Sequence, residues 1–463
     1  MSRYLSMLKQ DRRLVAYSTG NFGKNLLLGS FDVSLLFLLT DVLGVAPSRV
    51  SVLMLAVLVA DLALDLGAGL LATWAQNHGI GYRLLISLGA LPCAVAFALI
   101  YSMPLLGVRD LPVLAGVIIL FRATYAVIDV PHNSLLARVA SDSRARGRVS
   151  GYRTVFSSMA GVIIATIFAP MVVAADHQEP ARLLSQLGVV GGLLFCGVML
   201  FAAWSSQEVC DGWQRQRRDW SRMVFLPKLD RLFGAIALVA LITGFATPVF
   251  LKMMLYLATY VLHQPDLTST VLLVLTLCQL AGAALWITLV PSHDKPTLLA
   301  ASHGVLICGL VLFLLAGGNR WLLMGAIAVI GVACAGVFML PWSILADIID
   351  FAEFRHGERR ETAAFATILV ILKAGGMASV AVIGWTLAQL GYVPGVTQTG
   401  GVVRSMQWIA FGVPVLGSLI AILTLRRLAV GHCMHARVVR ANQARSRLLV
   451  VELSPTASSR KIR

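Results

Sequence analysis

Charged residues are scarce in this sequence, and their scarcity excludes a soluble globular protein. They make up only 13% of the 463 residues, whereas 58% are hydrophobic and the mean hydropathy is +0.82. A soluble domain of this size needs a far larger polar surface. Apolar stretches of about 20 residues recur along the chain, each long enough to span a bilayer core about 30 Å thick. The sequence therefore predicts an all-α, polytopic membrane protein.

Cysteine is also rare, with seven residues scattered along the chain. None of them has the spacing of a metal site, and most lie inside apolar runs. We therefore expect neither a disulfide framework nor a zinc site, and no cofactor other than a coupling cation. The polar loops offer no nucleophile–base or metal constellation, so we do not expect an enzyme.

Twelve apolar segments are predicted to cross the membrane, and because twelve is even, both termini lie on one side. A long central loop divides them six and six, which is typical of a transporter with two six-helix halves around a midplane cavity. The halves cover residues 1–205 and 231–428, the loop covers 206–230, and a basic tail, expected to be poorly ordered, covers 429–463. The predicted spans are approximately 14–42, 50–75, 83–104, 111–137, 148–174, 186–205, 231–261, 266–291, 296–317, 320–350, 362–390 and 404–428.

Acidic residues are few, at 22 against 38 Lys and Arg, and the net charge is +16. The cations concentrate in the termini and the loops on the same side, whereas the opposite loops hold only Arg49, Arg109, Arg182, Arg320 and Arg404. By the positive-inside rule, both termini are cytoplasmic and the protein lies in the plasma membrane. The basic excess therefore indicates topology and attraction to anionic lipid, and we expect no nucleic-acid partner.

Ionisable residues inside the spans are the main candidates for function, because each costs about 2.5–3.5 kcal/mol to insert even on lenient scales. Such groups usually face a cavity or one another. The sequence places nine of them well inside spans, namely Lys24, Asp32, Asp61, Asp65, Arg122, Asp129, Arg153, Lys252 and Lys373.

Asp61 and Asp65 are four residues apart in span 2 and therefore share one helix face. Two carboxylates this close repel one another, so either one is protonated or a cation lies between them. The pair suits Na⁺ or a proton, and a structural ion pair with a neighbouring Arg or Lys is the alternative. Lys373 in span 11 needs a carboxylate partner, for which the aspartates of spans 2 and 4 are the candidates.

Asp129 in span 4 is a candidate for binding a polyhydroxylated solute. Tyr125 lies one turn away on the same face, and a carboxylate beside an aromatic ring suits sugar hydroxyls and the apolar sugar face. The alternative is that Asp129 only pairs with Arg122 or Arg153. His132 and His303 are expected to pack or line the cavity rather than relay protons.

Asp32 lies seven residues after Asn25 in span 1, so the two side chains share a face. We expect Asp32 to face the central cavity, where it either contacts the solute or pairs with Lys252. The alternative is that it is hydrated near the outer membrane interface.

Several short motifs occur in a fixed order along the chain. They are "GNFGKN", "TDVLGV", "ADLALD", "YAVIDVP", "GYRTVFSSMAG", "LADIIDFAEFRHGERRETAAF", "ILKAGG" and "LGYVPGVTQ". Together they resemble the glycoside–pentoside–hexuronide:cation symporter family of the major facilitator superfamily, whose type member is melibiose permease. The resemblance extends from about Gly20 to Arg427.

The resemblance implies a carrier that moves sugars or related solutes together with Na⁺, Li⁺ or H⁺. It implies a cation site at Asp61, Asp65, Asp129 and Lys373, with Na⁺ on the first two if the carrier is sodium-coupled. With the residues argued above, the predicted substrate-binding set is Asn25, Asp32, Tyr125, Asp129, Arg153 and Lys373. It also implies a cytoplasmic gate formed by Asp347, Asp350, Glu353 and Arg359.

Three positions depart from the family pattern. Asn25 stands where the family has a sugar-binding aspartate, Ala126 replaces a threonine near the cation, and Asn133 replaces a sugar-contacting tryptophan. Galactoside specificity is therefore not implied.

We predict a monomeric, cation-coupled symporter for a sugar, glycoside, uronate or related polar solute.

 The expected partners are the solute, the coupling cation and the lipid bilayer. The alternatives are a lysolipid carrier, a proton-coupled exporter of a small amphiphile, and a sensor or scaffold that no longer transports. The last is disfavoured because idle intramembrane charges are costly.

Overall fold

The computed structural model describes residues 11–45, 47–140, 142–168, 180–206, 230–262, 267–357, 359–390, 398–428 and 431–453. Within these ranges every regular element is helical. The predicted central loop lies outside the described residues except for Ser206 and Asp230, and so does most of the "LGYVPGVTQ" motif.

The N-terminal half of the described chain contains seven helices, and two of them continue into a π-helical turn. The turns cover Leu38–Val42 and Ile164–Phe168. The helices are α1 (Arg12–Ser18), α2 (Gly20–Phe37), α3 (Pro47–Asn77), α4 (Tyr82–Ser102), α5 (Leu111–Val139), α6 (Ser143–Ile163) and α7 (Pro180–Ser205).

The C-terminal half has a similar composition of long and short helices. Its π-helical turns cover Leu257–Val261 and Trp408–Gly412. The helices are α8 (Arg231–Phe245), α9 (Val249–Tyr256), α10 (Leu267–Leu289), α11 (Lys295–Leu315), α12 (Arg320–His356), α13 (Glu361–Gln389), α14 (Gly400–Gln407) and α15 (Val413–Leu425).

Ten helical segments in the described part of the chain are long and apolar enough to cross a bilayer. Helices also occupy the predicted spans 1 and 8, where α1 and α2 follow one another and α10 runs from Leu267 to Leu289. The all-helical membrane fold is thus confirmed, whereas the count of twelve spans stays a prediction. Helices satisfy their backbone hydrogen bonds internally, which a lipid environment requires.

The two halves approach closely where α6 crosses α10. Gly147 and Gly151 lie one turn apart on α6, and a Cβ atom added to them would come within 2.2 Å of Val290 and 2.0 Å of Ile287. Only glycine fits this separation, as in other membrane helix pairs with small residues four apart. A second close approach joins α3 to α13, where a Cβ at Gly69 would lie 2.9 Å from Ala366.

The prediction of a poorly ordered tail is wrong for residues 432–453. They form a sixteenth helix, α16 (His432–Leu453), which packs against α12 and α6. The Asn442 side-chain amide donates to the Asp350 carbonyl oxygen at 3.0 Å, and the His435 ring is buried against Phe351. These contacts hold the helix to one end of the bundle.

Candidate functional site

Asp61 and Asp65 of α3 lie against a lysine from the other half of the protein. Lys373 Nζ of α13 is 2.8 Å from Asp61 Oδ2 and 2.6 Å from Asp65 Oδ2. Both carboxylates are buried, and Asp65 Oδ1 has no hydrogen-bond partner among the described residues. The aspartates of span 2 are therefore the carboxylate partners that Lys373 requires.

Arg122 of α5 also belongs to this cluster. Its Nε donates to Asp61 Oδ1 at 2.8 Å, and its Nη2 donates to Asp61 Oδ2. Fork-shaped guanidinium groups match both oxygens of a carboxylate in this way. Asp61 thus forms an ion pair with a neighbouring arginine, as the alternative of a structural ion pair expects. We call the group of Asp61, Asp65, Arg122, Lys373 and Asp32 the ion cluster.

Asp32 of α2 is the one solvent-exposed carboxylate of the ion cluster. It interacts electrostatically with Arg122, Asp61 and Lys373, and its predicted position at the central cavity stays a prediction. The suggested pairing with Lys252 is wrong, because Lys252 Nζ donates to Gly376 O at 2.8 Å and to Ser379 Oγ at 2.5 Å. Lys252 is satisfied by α13 within its own half.

Asp129 of α5 forms the centre of a second cluster. Lys24 Nζ of α2 lies 2.6 Å from Asp129 Oδ1, and the Asn133 amide donates to the same oxygen at 3.0 Å. The expected alternative partners, Arg122 and Arg153, do not make this contact. Asp129 instead interacts with Arg153 and Lys373 at longer range, which links it to the ion cluster.

Arg153 of α6 is held by amide groups instead of a carboxylate. Its Nε donates to Asn21 Oδ1 at 2.8 Å, and its Nη2 donates to Asn133 Oδ1. Its third nitrogen, Nη1, is buried and has no hydrogen-bond partner in the described part of the chain. The guanidinium carbon lies 5.7 Å from the centre of the Trp342 ring, which also brings the C-terminal half to this cluster.

Asn25 is linked to Arg153 through Asn21 and Ser157. It donates to Ser157 Oγ at 2.8 Å and to the Asn21 carbonyl oxygen at 2.9 Å. Tyr125 is buried one turn from Asp129, with its ring 6.0 Å from Phe121. We name Lys24, Asn21, Asn25, Asp129, Asn133, Arg153 and Ser157 the polar cluster.

The predicted gate residues lie together at the end of the bundle that carries most of the cations, here called the basic end. Arg146 of α6 reaches across the halves to Asp350 Oδ2 at 2.5 Å and to Asp347 Oδ1 at 3.4 Å. Lys295 Nζ and the Ser143 hydroxyl each lie 2.6 Å from Asp347 Oδ2. These charges are almost fully buried, so the halves are closed against one another here.

Arg359, in the connection between α12 and α13, joins three carboxylates at the basic end. It lies 2.6 Å from Asp350 Oδ1, 3.0 Å from Glu353 Oε2 and 2.7 Å from Glu361 Oε2. Burial disfavours its charge, but Glu361, Asp350 and Glu353 outweigh burial and raise the pKa of Arg359 well above its usual value. Three of the four predicted gate residues, Asp350, Glu353 and Arg359, are therefore in contact, and Asp347 is joined to them through Arg146.

Sequence reasoning missed several members of these clusters. Lys24 and Arg122 were recognised as costly intramembrane charges, but only the packing of α2, α3 and α5 reveals their partners. Arg138 and Glu361 pair across the halves at the basic end, and the His435 ring lies 2.9 Å from Asp350 Oδ2. Glu361 could have been found from the sequence, because it lies two residues after the predicted gate residue Arg359. Nothing in the sequence pointed to His435.

The predicted site residues thus fall into three groups along the bundle. The cation-site residues Asp61, Asp65 and Lys373 are in contact, and Asp129 interacts with them from the neighbouring polar cluster. These positions describe where the side chains lie, and their roles stay predictions. The proximity of an ion cluster to a polar cluster is what a coupled carrier requires.

The chain matches the MFS/sugar transport protein family over residues 16–432. It is similar to the inner membrane symporter YicJ of Escherichia coli (strain K12), with 24% identity over 389 residues that cover 82% of each chain. It is also similar to a glucuronide carrier protein homolog of the same organism, with 23% identity over 423 residues, which cover 86% of this chain and 87% of the relative.

The fold is similar to that of the major facilitator superfamily transporter FucP, whose crystal structure is in the outward conformation. The TM-score is 0.62 at 13% sequence identity, and the match covers 89% of this chain and 97% of FucP. A likeness at this identity concerns the fold alone. The relatives are transporters and not enzymes, as the sequence predicted. This chain is accordingly a multi-pass membrane protein that belongs to the MFS/sugar transport protein family.

Proposed function

We propose that this protein is a secondary active symporter that moves a sugar, glycoside, uronate or related polar solute together with a cation by alternating access. The observation that carries the proposal is the link between the two clusters. Lys373 contacts Asp61 and Asp65 and interacts electrostatically with Asp129, so charge added at the aspartates of α3 changes the field at the polar cluster.

The polar cluster supports a hydroxylated or acidic solute. Asp129 and the asparagines accept or donate hydrogen bonds to hydroxyl groups, and the unpartnered Nη1 of Arg153 suits a hydroxyl or carboxylate oxygen. Trp342 lies opposite and offers an aromatic face for an apolar sugar surface. A lysolipid or another long-chain amphiphile has few hydrogen-bonding groups, so it would leave most of these buried polar groups without partners.

The basic end is proposed to be the cytoplasmic side, with both termini there, because cytoplasmic loops carry the excess of Lys and Arg. The buried ion pairs of Arg146 and Arg359 close that end, so the conformation described is proposed to be open toward the outside. Transport then requires these pairs to separate when the halves rock about the site.

Uptake into proteoliposomes tests the proposal. A panel of labelled glycosides, uronates and lysolipids is offered with and without an inward cation gradient. We expect gradient-driven accumulation of at least one glycoside or uronate, and a loss of affinity of about tenfold or more in Asp129→Asn, because hydrogen bonds to a charged group contribute about 1.5–3 kcal/mol.

Asp110→Asn is the matched control, since Asp110 is exposed in a loop away from both clusters. It should leave uptake unchanged. Uptake that ignores every gradient, or accumulation of lysolipid alone, would contradict the proposed symport.

A further inference from the structure

We propose that this carrier is coupled to protons and not to Na⁺. In this proposal Asp32 takes up the coupling proton, and Arg122 is a built-in cation that occupies the place beside Asp61 where Na⁺ would bind. The inference rests on the proposed function, since it names the cation of that symport. It is argued from the contacts of the ion cluster.

Both carboxylate oxygens of Asp61 already have cationic partners. Arg122 donates to both of them, and Lys373 Nζ lies 2.8 Å from Oδ2. The side chains of Arg122 and Asp61 are only 10% and 3% exposed. An arginine cannot lose its proton in a protein, so its positive charge at this position is permanent. A Na⁺ ion that displaced it would leave a buried guanidinium without its partner.

Too few ligands remain for Na⁺ at this place. Hard cations are held by several oxygen ligands, and transporters often supply them from the carbonyls of unwound helices. Here α3 is uninterrupted from Pro47 to Asn77, and residues 62–64 between the two aspartates are apolar. In the ranges that the structure describes, no group of three or more His, Cys, Asp or Glu side chains is placed to hold a metal ion.

The ion cluster nevertheless lacks one positive charge. Three carboxylates, those of Asp32, Asp61 and Asp65, face the two cations Arg122 and Lys373. An uncompensated charge is costly once it is enclosed by the membrane interior. A proton on one of these carboxylates removes the excess of negative charge within the ion cluster, and it needs only a single carboxylate oxygen.

Asp32 is the member of the cluster that suits this proton. Asp61 and Asp65 are buried in ion pairs, whereas Asp32 is exposed and makes no hydrogen bond or ion pair in the described part of the chain. The other groups near it are Arg122 and Lys373, which attract its negative charge, Asp61, which repels it, and the phenols of Tyr101 and Tyr125. Asp32 is thus the most accessible carboxylate of the ion cluster.

Infrared difference spectroscopy on the protein in lipid vesicles tests the proton site without any solute. Lowering the pH to about 6, where ordinary Asp and Glu side chains stay ionised, should produce the C=O band of a protonated carboxylic acid in the wild type and in the control Asp110→Asn, but not in Asp32→Asn. Replacing K⁺ by Na⁺ at constant ionic strength should leave the carboxylate bands unchanged. A carboxylic acid band that persists in Asp32→Asn, or a Na⁺-induced change in the wild type, would overturn the proposal.

Calorimetric titration with NaCl tests the role of Arg122. Wild type, Arg122→Lys and the exposed control Arg109→Gln should show no detectable Na⁺ binding, because each keeps the cation that α5 places beside Asp61. Arg122→Gln should bind Na⁺ detectably, with an affinity at least about tenfold above the weakest that the titration resolves. If folded Arg122→Gln gains none, Arg122 does not exclude Na⁺. Neither experiment uses a transported solute, so a failure here is distinct from a failure of the proposed symport.

Discussion

Lys24 and Asp129 illustrate how single residues in this protein depend on one another. Their charged atoms lie 2.6 Å apart, and both side chains are buried. Removing one partner of such a pair leaves an uncompensated charge, which costs about 3–5 kcal/mol, whereas removing both charges costs far less. The polar cluster is therefore stable only as a matched set.

A double-mutant cycle measures this dependence. Lys24→Met and Asp129→Asn should each lower the midpoint of thermal unfolding in detergent, and the double variant should lose less than the sum of the two. Lys252→Met is the control, because Lys252 is held by a carbonyl and a hydroxyl and leaves no carboxylate behind. Losses that simply add would show that Lys24 and Asp129 do not stabilise one another.

The sequence revealed which residues are costly in the membrane but not which of them meet. Asp61 and Asp65 were predictable as a pair because helical spacing places them on one face. Their contact with Lys373 was predictable as one of two possibilities. The partner of Asp129 and the charged neighbours of Asp32 were not, because they depend on how α2 packs against α5, a distance that no spacing along the chain encodes.

At the scale of elements, the spacing between α6 and α10 controls how closely the halves meet. Gly147 and Gly151 allow this contact, and the apolar side chains of Val290 and Ile287 fill the space. The apolar runs were enough to predict these helices. The same reasoning failed for α16, because its basic composition resembles a solvated tail while its order depends on contacts with the gate.

Gly151→Ala should weaken the closed basic end. The new Cβ would meet Ile287 at 2.0 Å, and overpacking of this kind costs about 1–3 kcal/mol. The readout is a cysteine placed at Ala366, which is buried against Gly69, in a protein without the native cysteines. We expect this cysteine to react with a maleimide about tenfold faster when Gly151→Ala is present than when it is absent.

Gly116→Ala is the control for the Gly151→Ala variant, because a Cβ atom added at Gly116 would have no atom within 4 Å apart from its neighbours in the same helix. It should leave the labelling rate unchanged. Equal rates in both glycine variants would mean that the α6–α10 contact does not hold the basic end closed.

At the scale of the whole molecule, the three groups of buried charges form a sequence from one end of the bundle to the other. The gate closes the basic end, the polar cluster lies next to it along the bundle, and the ion cluster lies farther toward the opposite end. Helix α16 adds His435 to the gate, so the tail contacts both halves through Asp350 and Arg146. Alternating access must break these contacts together.

The most direct test of this account is solute accumulation by the double variant Asp61→Asn/Asp65→Asn. Proteoliposomes are loaded with an inward gradient of protons or of Na⁺, and a solute that the wild type transports is supplied at low concentration. The account predicts that the wild type concentrates the solute above equilibrium, while the double variant only equilibrates it, because the ion cluster no longer holds an excess of carboxylates for the cation to neutralise. Full gradient-driven accumulation by the double variant would contradict the account.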